Sequence, residues 1–381
     1  MGIKSRREYL QTIIDRYQRV GRKFKSKILD EFCAVCGYHR KHALRLLRKR
    51  MRHRRRRSGP KPQYDALISA ILKDIWLASD QLCSKRLKAA LPLWLPYYEA
   101  QQGRLLPAIR QKLLAISPAT IDRLLRPARA KHRRRGLSGT KPGSLLKHHI
   151  PIRTDNEDVE KPGYLEADAV AHCHDSLAGD FIWSLTFTDI FSQWTENRAI
   201  WNKGATDVVA RVQEVEADLP FPILSFDVDN GAEFLNHHLW RYFFDRPEPV
   251  SFARGRPYHK DDQAHVEQKN WTHVRQLLGY DRLENPCQVE LINALYREAW
   301  DPFHNFFRPS MKLQAKKRVR SRIVKKHDLP QTPYERLLAS SAVSESKKHE
   351  LRERFEQLNP FDLKKEIERR LKMVFAARSV T

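Results

Sequence analysis

The chain has 381 residues, 41% of them hydrophobic and 10% aromatic, enough apolar material for two or three domains with real cores. Lys and Arg number 71 against 45 Asp and Glu, a net charge of +26 at pH 7, which predicts a polyanionic partner with nucleic acid as the first candidate. No run approaches the roughly 18 apolar residues of a membrane span, and residues 1–20 lack a signal-peptide core, so we expect a cytoplasmic protein with no membrane partner.

The charge is unevenly distributed. Residues 1–150 hold 37 basic and 9 acidic residues, or +28, whereas residues 151–309 hold 15 basic and 27 acidic residues, or −12. Residues 312–326 then hold eight basic residues and no acid. Phosphate binding is therefore expected at the two flanks. An acidic middle repels DNA unless a bound metal bridges the two.

Two short basic runs break the front of the chain. Residues 48–57 contain eight Lys or Arg and run into Ser-Gly-Pro, and residues 131–135 run into Gly136. Two alternatives stay open for both runs: a solvated linker, or an arm that becomes ordered along DNA phosphates. The five cysteines are scattered and odd in number, which favours thiols over a disulfide framework.

The first part of the chain is predicted to be helical. Apolar residues at helical spacing occur in residues 6–17, 28–32 and 64–96. Two stretches have the helix-turn-helix pattern, one turning at Gly37 and the other around Ser117, which is a predicted N-cap followed by Pro118. The DNA-facing candidates are Arg40, Lys41 and Arg45 in the first pattern and Arg123 and Arg126 in the second.

Four residues near the first turn invite a zinc interpretation. Cys33, Cys36, His39 and His42 are the ligand types of a tetrahedral zinc site. Structural zinc sites usually separate their ligand pairs by more chain, so the spacing favours buried thiols instead.

The middle of the chain has a different residue composition from the helical front. Residues 164–171, 181–190 and 194–201 have the composition of three antiparallel strands. A helix is then predicted at 204–219, a strand at 221–227, a helix at 233–245, a short strand at 249–253 and a long helix at about 262–279. This order is that of the ribonuclease H-like α/β fold, with a mixed five-stranded sheet.

Three acidic residues stand out in this frame by position. Asp168 lies within the first strand, Asp229 follows the fourth strand at an Asn-Gly turn, and Glu267 lies on the last helix. The spacing of Ala264, Glu267, Trp271, Val274 and Leu278 predicts that they form the stripe facing the sheet. A cluster of three carboxylates is stable at neutral pH mainly when it binds a hard divalent cation. The alternative is three unrelated acids: one on an edge strand, one in a turn and one exposed on a helix.

The segment from about residue 162 to 280 resembles the integrase catalytic core of the DDE transposases, the superfamily of retroviral integrases and many bacterial insertion-sequence transposases. The matching features are Asp168 in its strand, the DNG-x-EF sequence at residues 229–234 and the sequence RPYHKDDQAHVEQKN at residues 256–270. Between Asp229 and Glu267 lie 37 residues, close to the family spacing. The family often has Asn around residues 261–263, where this chain has acids.

The resemblance implies that Asp168, Asp229 and Glu267 are the catalytic residues and bind Mg²⁺, with Mn²⁺ as a substitute and two ions per active site. It implies a nucleoid-associated transposase that cuts the terminal repeats of its insertion element and joins the freed 3′-hydroxyl to target DNA, with no small-molecule substrate. Joining two ends implies a homo-oligomer on DNA. Two other functions remain open: a catalytically silent DNA-binding regulator derived from a transposase, and a metal-dependent nuclease.

Some neighbours of the acids are candidates for lesser roles. His265 and Lys269 belong to a polar row on the Glu267 helix, for which both a DNA-facing and a simply solvated face remain possible. Glu166 and Asp227 share strand phase with Asp168 and Asp229, respectively, and a structural role is favoured for both. His172 and His174 lie close to Asp168 but are poor ligands for a hard metal.

The rear is basic and partly helical. Residues 311–326 predict a small sheet or an extended arm on DNA, and residues 351–375 predict a helical pair broken at Pro360 that packs on the core or on a second subunit. The predicted domains are two helix-turn-helix DNA-binding regions at 1–57 and 58–135, a linker at 136–160, the catalytic core at 161–305 and the basic C-terminal region at 306–381.

Overall fold

The structure is a computed structural model that describes residues 2–48, 63–132, 159–228, 234, 236–254, 264–319 and 322–377. Within these ranges the side chains of residues 3, 4, 253, 254, 264, 265, 267, 316, 319 and 322 are not described. The chain divides into two compact units, Met1–Gln63 and Tyr64–Thr381.

The first unit is built from three helices: α1 (Ile3–Arg19), α2 (Arg22–Cys36) and α3 (Arg40–Arg48). Their core is made of nine buried residues: Ile13, Ile14, Tyr17, Ile28, Leu29, Phe32, Cys36, Ala43 and Leu47. Gly37 ends α2 with φ +67°, the left-handed conformation that glycine adopts at little cost, and its N–H donates to the Cys33 carbonyl. The predicted turn between α2 and α3 is therefore present.

The second unit begins with four helices: α4 (Ala66–Ala78), α5 (Ser84–Gln102), α6 (Pro107–Ala115) and α7 (Pro118–Lys131). Ser117 caps α7 as predicted, because its hydroxyl accepts from the Thr120 N–H and Pro118 occupies the first helical position. The predicted apolar face of α4 is confirmed for Ile68, Ile71, Leu72, Ile75 and Trp76, but Leu67 is exposed.

A five-stranded mixed sheet forms the centre of the second unit. Its strands are β1 (Tyr164–Ala171), β2 (Ile182–Asp189), β3 (Thr195–Trp201), β4 (Ser225–Val228) and β5 (Ser251–Arg254), in the order β3-β2-β1-β4-β5. The first three strands run antiparallel, and β4 and β5 run parallel to β1. Of these five strands β1 lies in the middle.

The connections follow the predicted chain order. Helix α8 (Ala205–Asp218) links β3 to β4, α9 (His237–Phe244) links β4 to β5, and α10 (Ala264–Lys269) follows β5. A π-helical segment, Asn270–Arg275, continues α10 into α11 (Gln276–Leu278). This mixed sheet and element order agree with the ribonuclease H-like prediction. The fourth strand begins at Ser225, later than predicted, and α9 is shorter than predicted.

The rest of the chain packs on this core. Helix α12 (Gln288–Leu295) continues through a π-helical segment, Tyr296–Trp300, into α13 (Asp301–Phe307), and these precede a two-stranded antiparallel sheet of β6 (Leu313–Val319) and β7 (Arg322–His327). Helices α14 (Pro333–Ala339), α15 (Glu345–Gln357) and α16 (Pro360–Ala376) follow. The predicted small basic sheet and the helical pair broken at Pro360 are both present, and the pair contributes to the main core.

Side chains of the helix 288–307 satisfy the outer edge of β3. Asn305 accepts from the Thr195 N–H at 3.0 Å and donates to its carbonyl at 2.9 Å, and Asn293 makes the same pair of bonds with Ala199, at 2.7 and 3.0 Å. Buried backbone groups that lack a partner are costly, so these amides replace a neighbouring strand. They fix the helix against the sheet.

A buried charge network lies beside this edge. The guanidinium of Arg198 has no exposed surface and contacts the carboxylates of Glu196, Asp218 and Asp301 at 3.3, 2.6 and 3.5 Å. Burial, and then the nearby Glu196 charge, raise the pKa of Asp301 well above its usual value, because both disfavour its ionised form. Removing one member would leave other buried charges without compensation.

The predicted domain boundaries remain predictions. The boundary after residue 57 and most of the 136–160 linker fall outside the described residues. Within the second unit, the helices from α4 onward share one apolar core with the sheet, and the Trp94 indole donates to the Phe307 carbonyl at 3.0 Å. All five cysteines are free thiols, as predicted.

We predict that Asn305→Ala lowers the free energy of unfolding by about 2–4 kcal/mol, because it leaves two buried backbone groups of Thr195 without partners. Urea denaturation followed by circular dichroism measures the change. The exposed Gln357→Ala should change it by less than about 0.5 kcal/mol. A loss for Asn305→Ala as small as that of the control would show that the edge amides are dispensable.

Candidate active site and nucleic-acid interface

The candidate active site is built on β1. Because side chains alternate along a strand, Glu166 and Asp168 point to one face of the sheet while Leu165 and Ala167 point to the other, which is apolar. Glu166 is fully buried and Asp168 is half-buried. Desolvation of two carboxylates on one strand is costly, so this face needs donors or cations that compensate it.

The helical segment 264–278 supplies those donors. The Val266 N–H donates to Glu166 Oε2 at 3.0 Å, and Asn270 Nδ2 donates to Asp168 Oδ2 at 2.6 Å. Farther along, the Arg275 guanidinium donates to the Ala171 carbonyl at 2.9 Å. The segment is therefore fastened to β1 at three points by groups spaced one turn or more apart.

Glu267 lies between the first two of these points. It follows Val266 directly and precedes Asn270 by three residues, so its backbone is held beside the strand that carries Asp168. The Glu267 side chain is not described. Asp229 lies outside the described residues, but it is the next residue after β4, whose last residue, Val228, pairs with Ala167.

The structure corrects the predicted stripe on the Glu267 helix. Trp271, predicted to face the sheet, is 41% exposed, whereas Val266, Lys269, His273 and Val274 are buried. The π-helical segment that starts at Asn270 widens the turn, so residues beyond it no longer follow the 3.6-residue period. The prediction was correct for Val274 and Leu278.

Lys269 is also placed differently from the exposed polar row predicted for it. It is 8% exposed, and its Nζ donates to the Gln193 carbonyl at 3.2 Å. Burial, with a contribution from nearby arginines, lowers the pKa of Lys269 to about 7. The lysine therefore belongs to the interior beside the site. The His265 side chain lies outside the described residues.

The remaining DNA-binding candidates stay on the surface. Lys41 and Arg45 are exposed on α3, and Arg123 and Arg126 are exposed on α7. Arg40 is exposed too, but its guanidinium contacts Asp30 and donates to the Ser26 hydroxyl at 3.1 Å. It is less available than its neighbours to an external phosphate.

The hairpin of β6 and β7 is a second basic surface. Its exposed residues include Lys317, Arg318, Lys325 and Lys326, and the exposed apolar Val324 lies among them. Like charges on adjacent strands repel one another, so a polyanion would stabilise this sheet. The hairpin is a candidate surface of its own.

The histidines and cysteines near the predicted sites form no metal centre. The described residues contain no group of three His, Cys, Asp or Glu placed to hold a metal, and this covers Cys33, Cys36, His39 and His42. His172 is buried, with its Nε2 2.8 Å from the Ser184 hydroxyl, which is in turn 2.9 Å from the Tyr296 hydroxyl. His174 is exposed beside Asp175.

The sequence did not identify Asn270 as the residue that holds Asp168. It also did not identify the hydrogen-bond donor of Glu166. Asn270 closes the matched sequence at residues 256–270, so its position was visible, but nothing there showed that its amide reaches the strand. Arg86, a neighbour of Lys269, was missed because it is 183 residues away along the chain.

The fold and the site define an α/β protein with two carboxylates on the middle strand of a mixed sheet, fastened to the following helix. The chain is 38% identical over 350 residues to the uncharacterized protein y4rM of Sinorhizobium fredii (strain NBRC 101917 / NGR234), an alignment that covers 88% of this chain and 96% of that protein. It belongs to the same family as y4rM. No protein-family model matches the chain.

Two solved structures are similar at low TM-scores. A chain of the simian T-cell lymphotropic virus intasome in complex with PP2A regulatory subunit B56 gamma is 15% identical, with a TM-score of 0.27, and the match covers 48% of this chain and 58% of that one. The catalytic core domain of BIV integrase is 17% identical, with a TM-score of 0.23, and the match covers 30% and 68%.

No helix in the described ranges is both long enough and apolar enough to cross a membrane.

We predict that His172 makes the fold acid-sensitive. Burial, and secondarily the Arg275 charge, lower the pKa of His172 from 6.5 to about 3, so the unfolded chain binds more protons between these values and stability falls as pH falls through this window. His172→Gln should remove up to about 1.4 kcal/mol per pH unit of this loss. Urea denaturation from pH 7 to 4 measures it.

His238→Gln, at an exposed histidine of α9, is the control for the substitution itself. Equal slopes for wild type and His172→Gln would mean that His172 is not held neutral.

Proposed function

We propose that this protein is a polynucleotidyl transferase of the DDE transposase class, which cuts the ends of its own insertion element and joins them to target DNA. The observation that supports the proposal best is the hydrogen bond from Asn270 to Asp168, since it holds the Glu267 helix against the strand of Asp168. The strand before Asp229 pairs with the same strand. These two contacts support the proposal that the three chain-distant acids meet at one region of the sheet.

The residues fit a hard divalent cation. Asp168 offers carboxylate oxygens, and the buried Oδ1 of Asn270, which has no hydrogen-bond partner among the described residues, offers an amide oxygen; both are the donor chemistry of Mg²⁺ or Mn²⁺. We assign Asp168, Asp229 and Glu267 as the residues that would hold two such ions. When bound, the ions supply charge neutralisation at phosphorus and activation of the attacking oxygen.

The proposed reaction is in-line substitution at phosphorus in two steps. In the first, a water oxygen forms a bond to phosphorus at the element end, and the 3′-oxygen leaves as a free hydroxyl. In the second, that hydroxyl forms a bond to a target phosphorus while a target 3′-oxygen leaves. The protein forms no covalent intermediate, and this agrees with a site built of carboxylates and amides rather than a Ser or Tyr nucleophile.

In this proposal, DNA binding belongs to the exposed basic residues of α3 and α7 and to the β6–β7 hairpin, whose phosphate contacts position the duplex. The acidic middle of the sequence then needs cations between it and DNA, and the bound ions provide them. Two element ends have to be joined together, so we infer a homo-oligomer on DNA.

A single assay distinguishes the candidate functions. Purified protein is incubated with a labelled element end, a target plasmid and Mg²⁺. Joined products support the transposase, and cuts without joining support a nuclease. A shifted but intact probe supports a DNA-binding regulator. The end sequence comes from inverted repeats in the DNA that flanks the gene.

We predict that Glu267→Gln abolishes cleavage and joining while DNA affinity changes less than about twofold, because the variant loses a ligand charge without altering the basic surfaces. Glu290→Gln removes the same charge from an exposed helical site and should keep full activity. The strand-transfer assay and a gel-shift titration measure the two quantities. Strand transfer by Glu267→Gln at the wild-type rate would remove Glu267 from the site.

We predict that Arg45→Ala weakens binding of the element end by about 1–3 kcal/mol if its side chain reads a base. Arg40→Ala should cost less, because the Arg40 guanidinium is already engaged by Asp30 and Ser26. Gel-shift titrations at several salt concentrations separate base reading from phosphate contact. An unaltered binding curve for Arg45→Ala would assign that residue to structure alone.

A further inference from the structure

A polar cavity lies on the side of the Glu267 helix that faces α13. Its volume is about 250 Å³, room for several water molecules and hence for a tetrahedral oxyanion. The walls come from five chain-distant segments, whose lining residues include Arg86, Gln193, Lys269, His304 and Arg308. Exposed Cys83, Gln268 and His327 line it too, so solvent reaches it.

Three cations lie in its wall. Lys269 and Arg308 are 8% and 6% exposed, and Arg86 is half-buried with its guanidinium on the Pro309 carbonyl. Burial lowers the pKa of Arg86, because a charged group that is removed from water loses hydration.

Two imidazoles complete the wall. The rings of His273 and His304 lie 3.9 Å apart between centroids, and both are nearly fully buried. His273 Nδ1 is 2.9 Å from the Thr272 hydroxyl, while its Nε2 has no partner among the described residues. Burial and the surrounding cations lower the pKa of both rings, so both are neutral, and His304 Nε2 accepts from the Arg308 guanidinium at 2.8 Å.

Acid compensation in this region is incomplete. Asp80 contacts Arg308 at 3.3 Å, and a second ion pair joins Asp328 to Arg336 at 2.5 Å. Among the described residues, none that lines the cavity is acidic. Buried cations are stable mainly when anions compensate them, so the cationic lining that the described residues provide favours an anion in the space.

We infer that this cavity is a binding site for a phosphate oxyanion, held by Arg86, Lys269 and Arg308. Arg presents a fork that matches phosphate oxygens, and Lys provides a point charge. The same chemistry is offered by a DNA phosphodiester and by free inorganic phosphate. The DNA source rests on the function proposed above.

The test uses inorganic phosphate as the probe, with chloride at matched ionic strength as the reference. Calorimetry and thermal unfolding are followed for the full chain and for Arg86→Gln, Lys269→Met and Lys85→Gln. Lys85 is the matched control, because it is an exposed cation beside Arg86 that does not line the cavity. Phosphate should bind wild type and Lys85→Gln and should bind the other two about tenfold or more weakly, the loss of one charge-assisted hydrogen bond.

Lys269→Met keeps the inference falsifiable if Arg86→Gln fails to fold. The variant removes one of the cations that line the cavity and keeps a side chain of similar length, so its stabilisation by phosphate should disappear. A lysine with a merely structural role gives a lower midpoint and an unchanged phosphate response. Absence of phosphate-specific binding in wild type, or equal losses in Lys85→Gln and Lys269→Met, overturns the site.

Anisotropy of a labelled duplex distinguishes the two sources. Weaker duplex binding by Lys269→Met, with phosphate competing in wild type, identifies a phosphodiester as the occupant. Unchanged duplex binding identifies free phosphate. The phosphate measurements need no catalysis and are repeated on Glu267→Gln, so a protein that binds phosphate but joins no DNA contradicts the proposed function and leaves the cavity assignment standing.

Discussion

The candidate site depends on how two carboxylates of one strand are compensated. Glu166 and Asp168 face the same side of β1, and the helix after β5 meets them with a backbone N–H at Val266 and an amide at Asn270. Two carboxylates without hydrogen-bond donors would destabilise the middle of the sheet. The hydrogen bonds that compensate them also hold the helix in place. The π-helical turn starts at Asn270, and such turns often accompany functional sites in proteins because they re-aim the residues around them.

The interior beside this helix has the opposite sign of charge. Carboxylates lie on its strand side, and Arg86, Lys269 and Arg308 lie on its other side. One helix therefore separates an acidic face from a basic cavity. In the proposed function, a DNA backbone that crosses the helix would meet positive charge on both sides. The cavity provides it on one side, and bound cations would provide it on the side of the carboxylates. Long side chains from the helix 264–278 thus contribute to both surfaces.

Much of the fold was predictable from the sequence, and the reasons are local. The bounds of β1 were predicted at 164–171, as observed, because strand composition changes sharply at both ends, and the N-cap at Ser117 was predicted from a side chain that bonds three residues away. The prediction for the Glu267 helix was wrong at two residues: Trp271 was assigned to the core and is exposed, and Lys269 was assigned to the surface and is buried. Lys269 precedes the π-helical segment and is buried by long-range contacts such as that with Gln193, whereas Trp271 lies within the segment. A 3.6-residue pattern cannot anticipate a widened turn.

For the site, the sequence identified Asp168, Asp229 and Glu267 as candidates. The described residues show the contacts around Asp168 and the backbone position of Glu267. The Asn270 bond and the cation cavity depend on long-range contacts. Arg86 and Arg308 are 222 residues apart, and the sequence around each of them does not mark it as part of a site. No spacing rule therefore brings them together.

The amides of Asn293 and Asn305 have a consequence for assembly. They occupy the donors and acceptors that a sheet margin would otherwise offer to a second polypeptide, so two copies cannot associate by lengthening the sheet at Thr195 and Ala199. In the homo-oligomer proposed above, the copies would therefore meet through surfaces other than this margin of the sheet, and assembly or dissociation would require no strand exchange at β3.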